Sequence, residues 1–267
     1  MSLLQSLILG VVQGLTEFLP VSSTAHLTFA EQVFRFPEGW RLSFDVLLHL
    51  GTTLALIVFF APRLARIVAG LFSHESETRQ VNWRLVLIIA LGTIPAALAG
   101  ILLKSRLEKL FADPVYSAAF LLVTGGVLFT TRWCTGQRQE PTWQDGLLIG
   151  CAQAIALLPG ISRSGSTIAV ALFLGLARPE AFEFSMLLSI PAVLGAALLK
   201  LKDATFLNAG SGVSPVTLAA GLVTSLVVGL GALFLLRRVM QGKRLWLFSF
   251  YCWGVGLFVL AWSLLGR

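Results

Sequence analysis

Apolar runs long enough to cross a bilayer recur along almost the whole chain, separated by short clusters of charge, and a water-soluble fold cannot bury that pattern. A helix crossing the hydrocarbon needs about 20 mostly apolar residues. Six stretches supply it cleanly: 43–60, 84–104, 115–133, 182–200, 214–236 and 245–265. Over the 267 residues, 56% are hydrophobic and 12% charged, with a mean hydropathy of +0.84, well beyond the needs of a globular core. The expected fold is an all-α polytopic membrane protein, with 1–267 forming a single membrane domain in the lipid bilayer.

Two further apolar regions, about 1–30 and 145–177, are interrupted in the middle. Pro20 stands beside Ser22, Ser23 and Thr24 in the first, and Pro159 and Gly160 beside Ser162 to Thr167 in the second. Each reads as a re-entrant hairpin of two half-helices. Unpaired peptide groups are costly in lipid, so broken backbone at membrane depth must be covered by protein or line a watery cavity.

The two regions also match each other. Gly10-x-x-Gln13 precedes Pro20 and its hydroxyl cluster as Gly150-x-x-Gln153 precedes Pro159 and its own. Phe44, Leu47 and Leu48 correspond to Phe184, Leu187 and Leu188 at the same displacement, 153 − 13 = 140 and 184 − 44 = 140. An internal duplication accounts for this, with repeat one at about 1–135 and repeat two at about 140–267. If each hairpin re-enters on its own side and three spans follow it, about six transmembrane helices join the two hairpins and the second repeat is inverted.

Positive charge bears on orientation. One set of loops holds Arg63, Arg66, Arg79, Arg84, Arg132, Arg138, Arg178, Arg237, Arg238, Lys243 and Arg244, eleven in all. The other holds Arg35, Arg41, Lys104, Arg106, Lys109, Lys200, Lys202 and Arg267, eight in all. The positive-inside rule makes the first set cytoplasmic. The net charge of +7 therefore reflects topology; with no basic stripe, no nucleic-acid partner is expected. Cys134, Cys151 and Cys252 are odd in number and far apart, so they imply packing rather than disulfides. The start, MSLLQSLILG, lacks a basic flank and a cleavage pattern and is expected to be retained. Trp40, Trp83, Trp133 and Trp143 lie near span ends, as an aromatic belt would.

Ionisable groups within apolar segments face a cavity or a partner by default. In QGLTEFLPVSSTAHL, Gln13 and Glu17 are four apart on one helical face, and Ser22, Ser23, Thr24 and His26 follow Pro20. The plainer alternative is that the hydroxyls cap a half-helix while Glu17 and His26 pair. In LLPGISRSGST, Ser162, Arg163, Ser164, Ser166 and Thr167 open a half-helix, which suits an anion: helix N-terminal N–H groups, hydroxyl donors and a planar guanidinium. Here the alternative is a buried structural Arg163 paired with Glu17. Opposed hairpins should bring their tips together near the midplane, placing Glu17, Ser23 and His26 near Arg163, a constellation suited to phosphoryl transfer. Asp45 and His49 line the entrance or serve as helix-end contacts, and Glu180 and Glu183 beside Arg178 read as interfacial.

At these residues the sequence resembles the bacterial undecaprenyl-pyrophosphate phosphatases, also known as bacitracin-resistance proteins. The resemblance rests on Gln13 and Glu17 followed by LPVSSTAH, on PGISRSGST, and on FDVLLHLGT and FSMLLSIPA, in order over essentially the full chain. It implies hydrolysis of a C55 isoprenoid pyrophosphate, the lipid partner, to the monophosphate carrier of cell-wall precursors. It places the family's important residues on Gln13, Glu17, Ser23, His26, Ser162, Arg163 and Thr167, with Ser22, Thr24, Ser164 and Ser166 beside them. It also implies a divalent cation, Mg²⁺ or Ca²⁺, at Glu17 and Gln13, and a site in the bacterial cytoplasmic membrane facing the periplasm. Gln13 departs from the Glu of many relatives, leaving one carboxylate fewer; Ala25 replaces a usual Gly.

Two mechanisms fit these residues. In one, Ser23 attacks phosphorus with His26 or Glu17 assisting; in the other, Glu17 and a metal activate water. The competing class is a transporter or flippase for a phosphorylated lipid, since broken helices meeting at the midplane also build secondary transporters. Gly221, Gly229 and Gly231 allow close helix packing and would suit a homodimer.

Overall fold

A computed structural model of the chain describes residues 1–34, 38–111, 113–201 and 214–265, with the backbone alone at 31, 38–43, 108, 109, 111, 197–201 and 264. Arg35, Lys202 and Arg267 lie outside the described residues, as do the side chains of Trp40, Arg41, Lys109 and Lys200. The described residues are helical almost throughout. In order they form α1 (Leu3–Phe18), α2 (Ser23–Val33), α3 (Glu38–Leu71), α4 (Ser76–Leu102), α5 (Lys104–Phe111) and α6 (Pro114–Thr130). Then follow α7 (Trp143–Ile155), α8 (Arg163–Phe173), α9 (Arg178–Leu201), α10 (Pro215–Gln241) and α11 (Phe248–Leu265).

Among the described residues, five helical stretches are long and apolar enough to cross a membrane: Phe44–Leu71, Ser76–Leu102, Pro114–Trp133, Pro215–Gln241 and Leu245–Ser263. The protein is therefore an all-α, multi-pass membrane protein. The sixth expected span, 182–200, falls within α9, which is helical but opens with Arg178, Glu180 and Glu183 and is not among the five.

Both interrupted regions break where proline and hydroxyls stand. α1 stops at Phe18 and α2 begins at Ser23; α7 stops at Ile155 and α8 begins at Arg163. The starts of the elements repeat at the 140-residue displacement. Ser2 and Gln5 form a capping box at α1, and Thr142 and Asp145 form one at α7, each hydroxyl accepting from the third backbone N–H while that residue's side chain accepts in return. Ser22 precedes α2 as Ser162 precedes α8, and α3 and α9 begin at 38 and 178.

Each hairpin stands against a long helix of the other half, α1 on α10 and α7 on α4. Lipid tails are as apolar as leucine, so helices in a bilayer associate through close packing, and small residues permit it. A Cβ on Gly150 would lie 2.2 Å from Gly92 O, and one on Gly10 would lie 2.9 Å from Gly221 O. Gly221 and Gly229 thus face α1 and α3 inside one chain, against Phe44 and Phe18, rather than a second copy; Gly231 faces open space.

Ion pairs outside the hairpin tips tie together the loop set richer in arginine. Arg63 Nε is 2.6 Å from Glu183, which joins α3 to α9, and Arg138 grips Asp145 with two bonds of 2.8 and 2.9 Å. Glu183 is thus an inter-helix partner of α3, while Arg178 donates to the carbonyls of Thr131 and Cys134. Trp83, Trp133 and Trp143 are exposed, as a belt requires.

The glycine notches give a direct test. Gly150→Val should lower the thermal midpoint in detergent by an overpacking cost of about 1–3 kcal/mol, because its Cβ meets backbone. Gly126→Ala, which meets nothing within 4 Å, should leave it unchanged or raised. Equal melting of both variants would show that the α4–α7 contact does not depend on close approach.

Candidate functional site

The tips of the two broken segments touch. Ser164 Oγ donates to Leu19 O at 3.3 Å, and a Cβ on Gly165 would stand 3.2 Å from Pro20 Cβ. At this seam Arg163, the first residue of α8, reaches Glu17, one residue before the end of α1, and its Nη2 bonds Glu17 Oε1. The side chains are 19% and 6% exposed, so the pair is largely withdrawn from solvent. Carboxylate and guanidinium, 146 residues apart, meet where the two broken segments touch.

Glu17 divides its two oxygens. While Oε1 takes Arg163, Oε2 accepts from Ser23 Oγ at 2.7 Å and from Gln13 Nε2 at 3.1 Å, with His49 Nε2 at 3.7 Å. A carboxylate only accepts, so the Gln13 amide must turn its nitrogen toward it. That nitrogen also lies 3.4 Å from Thr52 Oγ1, and Gln13 Oε1 is left buried without a partner. Gln13 itself is fully buried.

Ser22 carries the sharp turn between α1 and α2. Its φ of 65° is unusual for a residue with a side chain, and such strain persists only where the surroundings hold it. It does not cap α2 through its side chain; its Oγ is buried and unpartnered. The capping alternative for this hydroxyl is therefore set aside. Its carbonyl instead lies 2.9 Å from His26 Nδ1, and His26 Nε2 is 2.9 Å from the Tyr251 hydroxyl. His26 thus does not pair with Glu17, and its ring atoms face Ser22 and α11 instead.

In the second segment, Gly160 holds φ at 99° where a Cβ would meet Ser117 O at 2.1 Å, a position only glycine fills. Thr124 Oγ1 donates to Gly160 O and accepts from Ser162 N, pinning the turn to α6. Ser162 Oγ caps α8 by accepting from Gly165 N at 3.1 Å and stands 3.3 Å from Ser164 Oγ. Thr167 Oγ1 donates to Arg163 O at 2.8 Å and meets Ser185 Oγ. Thr24 and Ser166 are half-buried.

Glu17, Ser23, Arg163 and Gln13 therefore form one cluster, with Ser164 at the junction, while His26 stands to one side. Among the described residues no group of three or more His, Cys, Asp or Glu side chains could hold a metal ion. Sequence reading placed His49 at the entrance or a helix end; the structure puts it beside Glu17, with Thr52 one turn on. Their three-residue spacing on α3 is a signal that could have found them. Tyr251 carried none.

Comparison with known proteins follows the same lines. The family described as bacitracin resistance protein BacA matches residues 6–258. A protein of Desulforapulum autotrophicum named undecaprenyl-diphosphatase is 42% identical over 96% of this chain and 97% of its own length. Proteins of the same name from Carboxydothermus hydrogenoformans (39%, all of both chains) and Methanosphaera stadtmanae (37%, 98% and 99%) are similar throughout.

The ion pair makes a stability prediction. Removing one partner of a buried pair costs about 3–5 kcal/mol because the other charge is stranded. Arg163→Met should therefore depress the melting midpoint strongly, and adding Glu17→Gln should recover part of the loss. A double variant melting below both single variants would contradict the contact.

Proposed function

The chain belongs to the bacitracin resistance protein BacA family, and on that premise we propose that it is an integral membrane phosphatase hydrolysing undecaprenyl diphosphate to undecaprenyl phosphate and inorganic phosphate. The observation that carries the reading is the Glu17 carboxylate, bonded on one oxygen to Arg163 and on the other to Ser23. An anion clamp, a hydroxyl nucleophile and its base meet there in one buried cluster.

Without ligand, Arg163 neutralises Glu17. An arriving diphosphate competes for the guanidinium, whose planar fork matches phosphate oxygens. Glu17 Oε2 stays within proton-transfer reach of Ser23 Oγ at 2.7 Å. Ser23 Oγ attacks the terminal phosphorus, its proton passes to Glu17, and the bond to the bridging oxygen breaks, releasing undecaprenyl phosphate. Glu17 gives that proton to the departing monophosphate. Water then attacks the phosphoserine, losing a proton to Glu17 as Ser23 regains one, and phosphate leaves. Ser22, with its unpartnered Oγ, and the hydroxyls of Thr24 and Ser166 supply donors to the phosphate oxygens, while Ser162 and Ser164 would join them only by giving up their bonds to each other and to Leu19 O. Thr167, tied to Ser185, steadies the first turn of α8. His26 is the second acid–base group.

A hard divalent cation, Mg²⁺ or Ca²⁺, fits this donor set only in company with phosphate. Glu17 and the orphaned Gln13 Oε1 would hold it, and Mg²⁺ commonly rests on one or two carboxylates plus substrate phosphates. It would supply neutralisation of the diphosphate charge. The excess of eleven positive residues over eight supports a site facing outward from the cytoplasmic membrane.

Phosphate release by the purified protein in detergent from undecaprenyl diphosphate, with and without chelator, tests the reading; a transporter or flippase releases none. Arg163→Lys should lose about 100-fold or more in turnover, since it keeps charge but not the fork. Ser23→Ala should be inactive, and wild type quenched during turnover should yield phosphoserine at Ser23. Full activity of Ser23→Ala would remove the covalent step.

A further inference from the structure

Helix α11 closes over the first broken segment from the other half of the chain. Fully buried Cys252 donates its thiol to Pro20 O at 3.5 Å, fixing α11 against the turn. The preceding residue, Tyr251, sets its hydroxyl 2.9 Å from His26 Nε2. The two rings are stacked, 5.6 Å apart and inclined by 11°.

The hydrogen bonds define the state of the ring. Ser22 O can only accept, so the Nδ1 beside it carries the proton. A neutral imidazole then offers Nε2 as acceptor, and the phenol must be the donor. The ring is thus fixed in tautomer by Ser22, from the strained turn, and in orientation by Tyr251, 225 residues further on. Tyr251 is 47% exposed beside a fully buried Cys252, so its ring reaches His26 from the edge of α11 and does not belong to the core.

We propose that Tyr251 is a positioning residue for the hydrolysis, holding His26 through a donated hydrogen bond and a ring stack in one tautomer and one ring angle, so that Nε2 is ready to accept a proton once the arriving substrate displaces the phenol hydroxyl. The proposal rests on the reading of His26 as the second acid–base group. Tyr251 touches neither the clamp nor the nucleophile; it acts through the imidazole. Without the phenol hydroxyl the ring keeps its stack and its bond to Ser22 O but loses the partner that selects one ring angle.

Tyr251→Phe removes that hydroxyl and nothing else. Two readouts on the full-length protein in detergent test the proposal: the ¹⁵N ring resonances of His26, assigned by comparison with His26→Ala, and the kinetics of phosphate release from undecaprenyl diphosphate. In Tyr251→Phe the Nε2 resonance should shift while Nδ1 stays protonated, and kcat should fall about tenfold with KM within about twofold, a part of what general acid–base catalysis contributes. In a His26→Ala background the same change should have no further effect, because both substitutions act on one group. Losses that multiply in the double variant, or an unmoved Nε2 resonance, would overturn the proposal. Should Tyr251→Phe not fold, the wild-type spectrum decides: protonation at Nε2 instead of Nδ1 is incompatible with it. A wild type that releases no phosphate would remove the phosphatase reading itself, an outcome separable from the resonance.

Discussion

A carboxylate and a guanidinium meeting largely out of solvent, across two interrupted helices, is the contact on which the rest of the structure depends. Either charge alone in that setting would carry a desolvation cost of several kcal/mol, and the mutual attraction offsets it only if the remaining lone pairs are also satisfied. Ser23 and Gln13 supply that satisfaction on the second oxygen of Glu17. The tips therefore cannot drift apart cheaply: separating them strands two charges and also exposes the carbonyl of Leu19 that Ser164 covers. Under the proposed function the same guanidinium that stabilises this seam would also meet the diphosphate's negative charge.

The scaffold makes that meeting unavoidable. Each hairpin is held by a long helix of the opposite half, and glycines bring the backbones within van der Waals range at both contacts, α1 on α10 and α7 on α4. A hairpin held only by its own half could tilt with it. Held by the other half, each tip is referenced to the far repeat. Polar backbone freed by the two breaks is covered there by protein: Thr124 serves Gly160 and Ser162, and Cys252 serves Pro20.

Much of this was legible in the sequence, and for identifiable reasons. Proline alone does not break these helices, since Pro62, Pro95 and Pro191 lie inside α3, α4 and α9; proline together with a hydroxyl cluster made the hairpins visible, and the 140-residue displacement carried over to the capping residues Ser2 and Thr142. Arg163 beside Glu17 followed from opposed tips. Less legible was what depends on side-chain direction in three dimensions. His26 stands one turn beyond Ser22, where its ring meets that residue's carbonyl and Tyr251 rather than the carboxylate. Tyr251 lies in an aromatic-rich helix whose composition says membrane and nothing more. Ser22 looked like a cap, yet its positive φ turns the hydroxyl away from the helix start. The glycines of α10 looked fit for a partner copy, but only packing could show that α1 and α3 already occupy two of them.

Gln13 shows how the residue one turn before Glu17 sets the charge of the cluster. Two carboxylates at positions 13 and 17 would face each other across hydrogen-bond distance and repel unless a proton or a cation stood between them. An amide instead donates to Glu17, so no proton or cation need stand between the two side chains. The charge to be balanced in the empty site is then one, and Arg163 balances it. Gln13 Oε1, on the other side of the amide, is left buried and unpartnered. With Gln13 in place, the hydrogen bonds and ion pair on Glu17 are all made by protein groups.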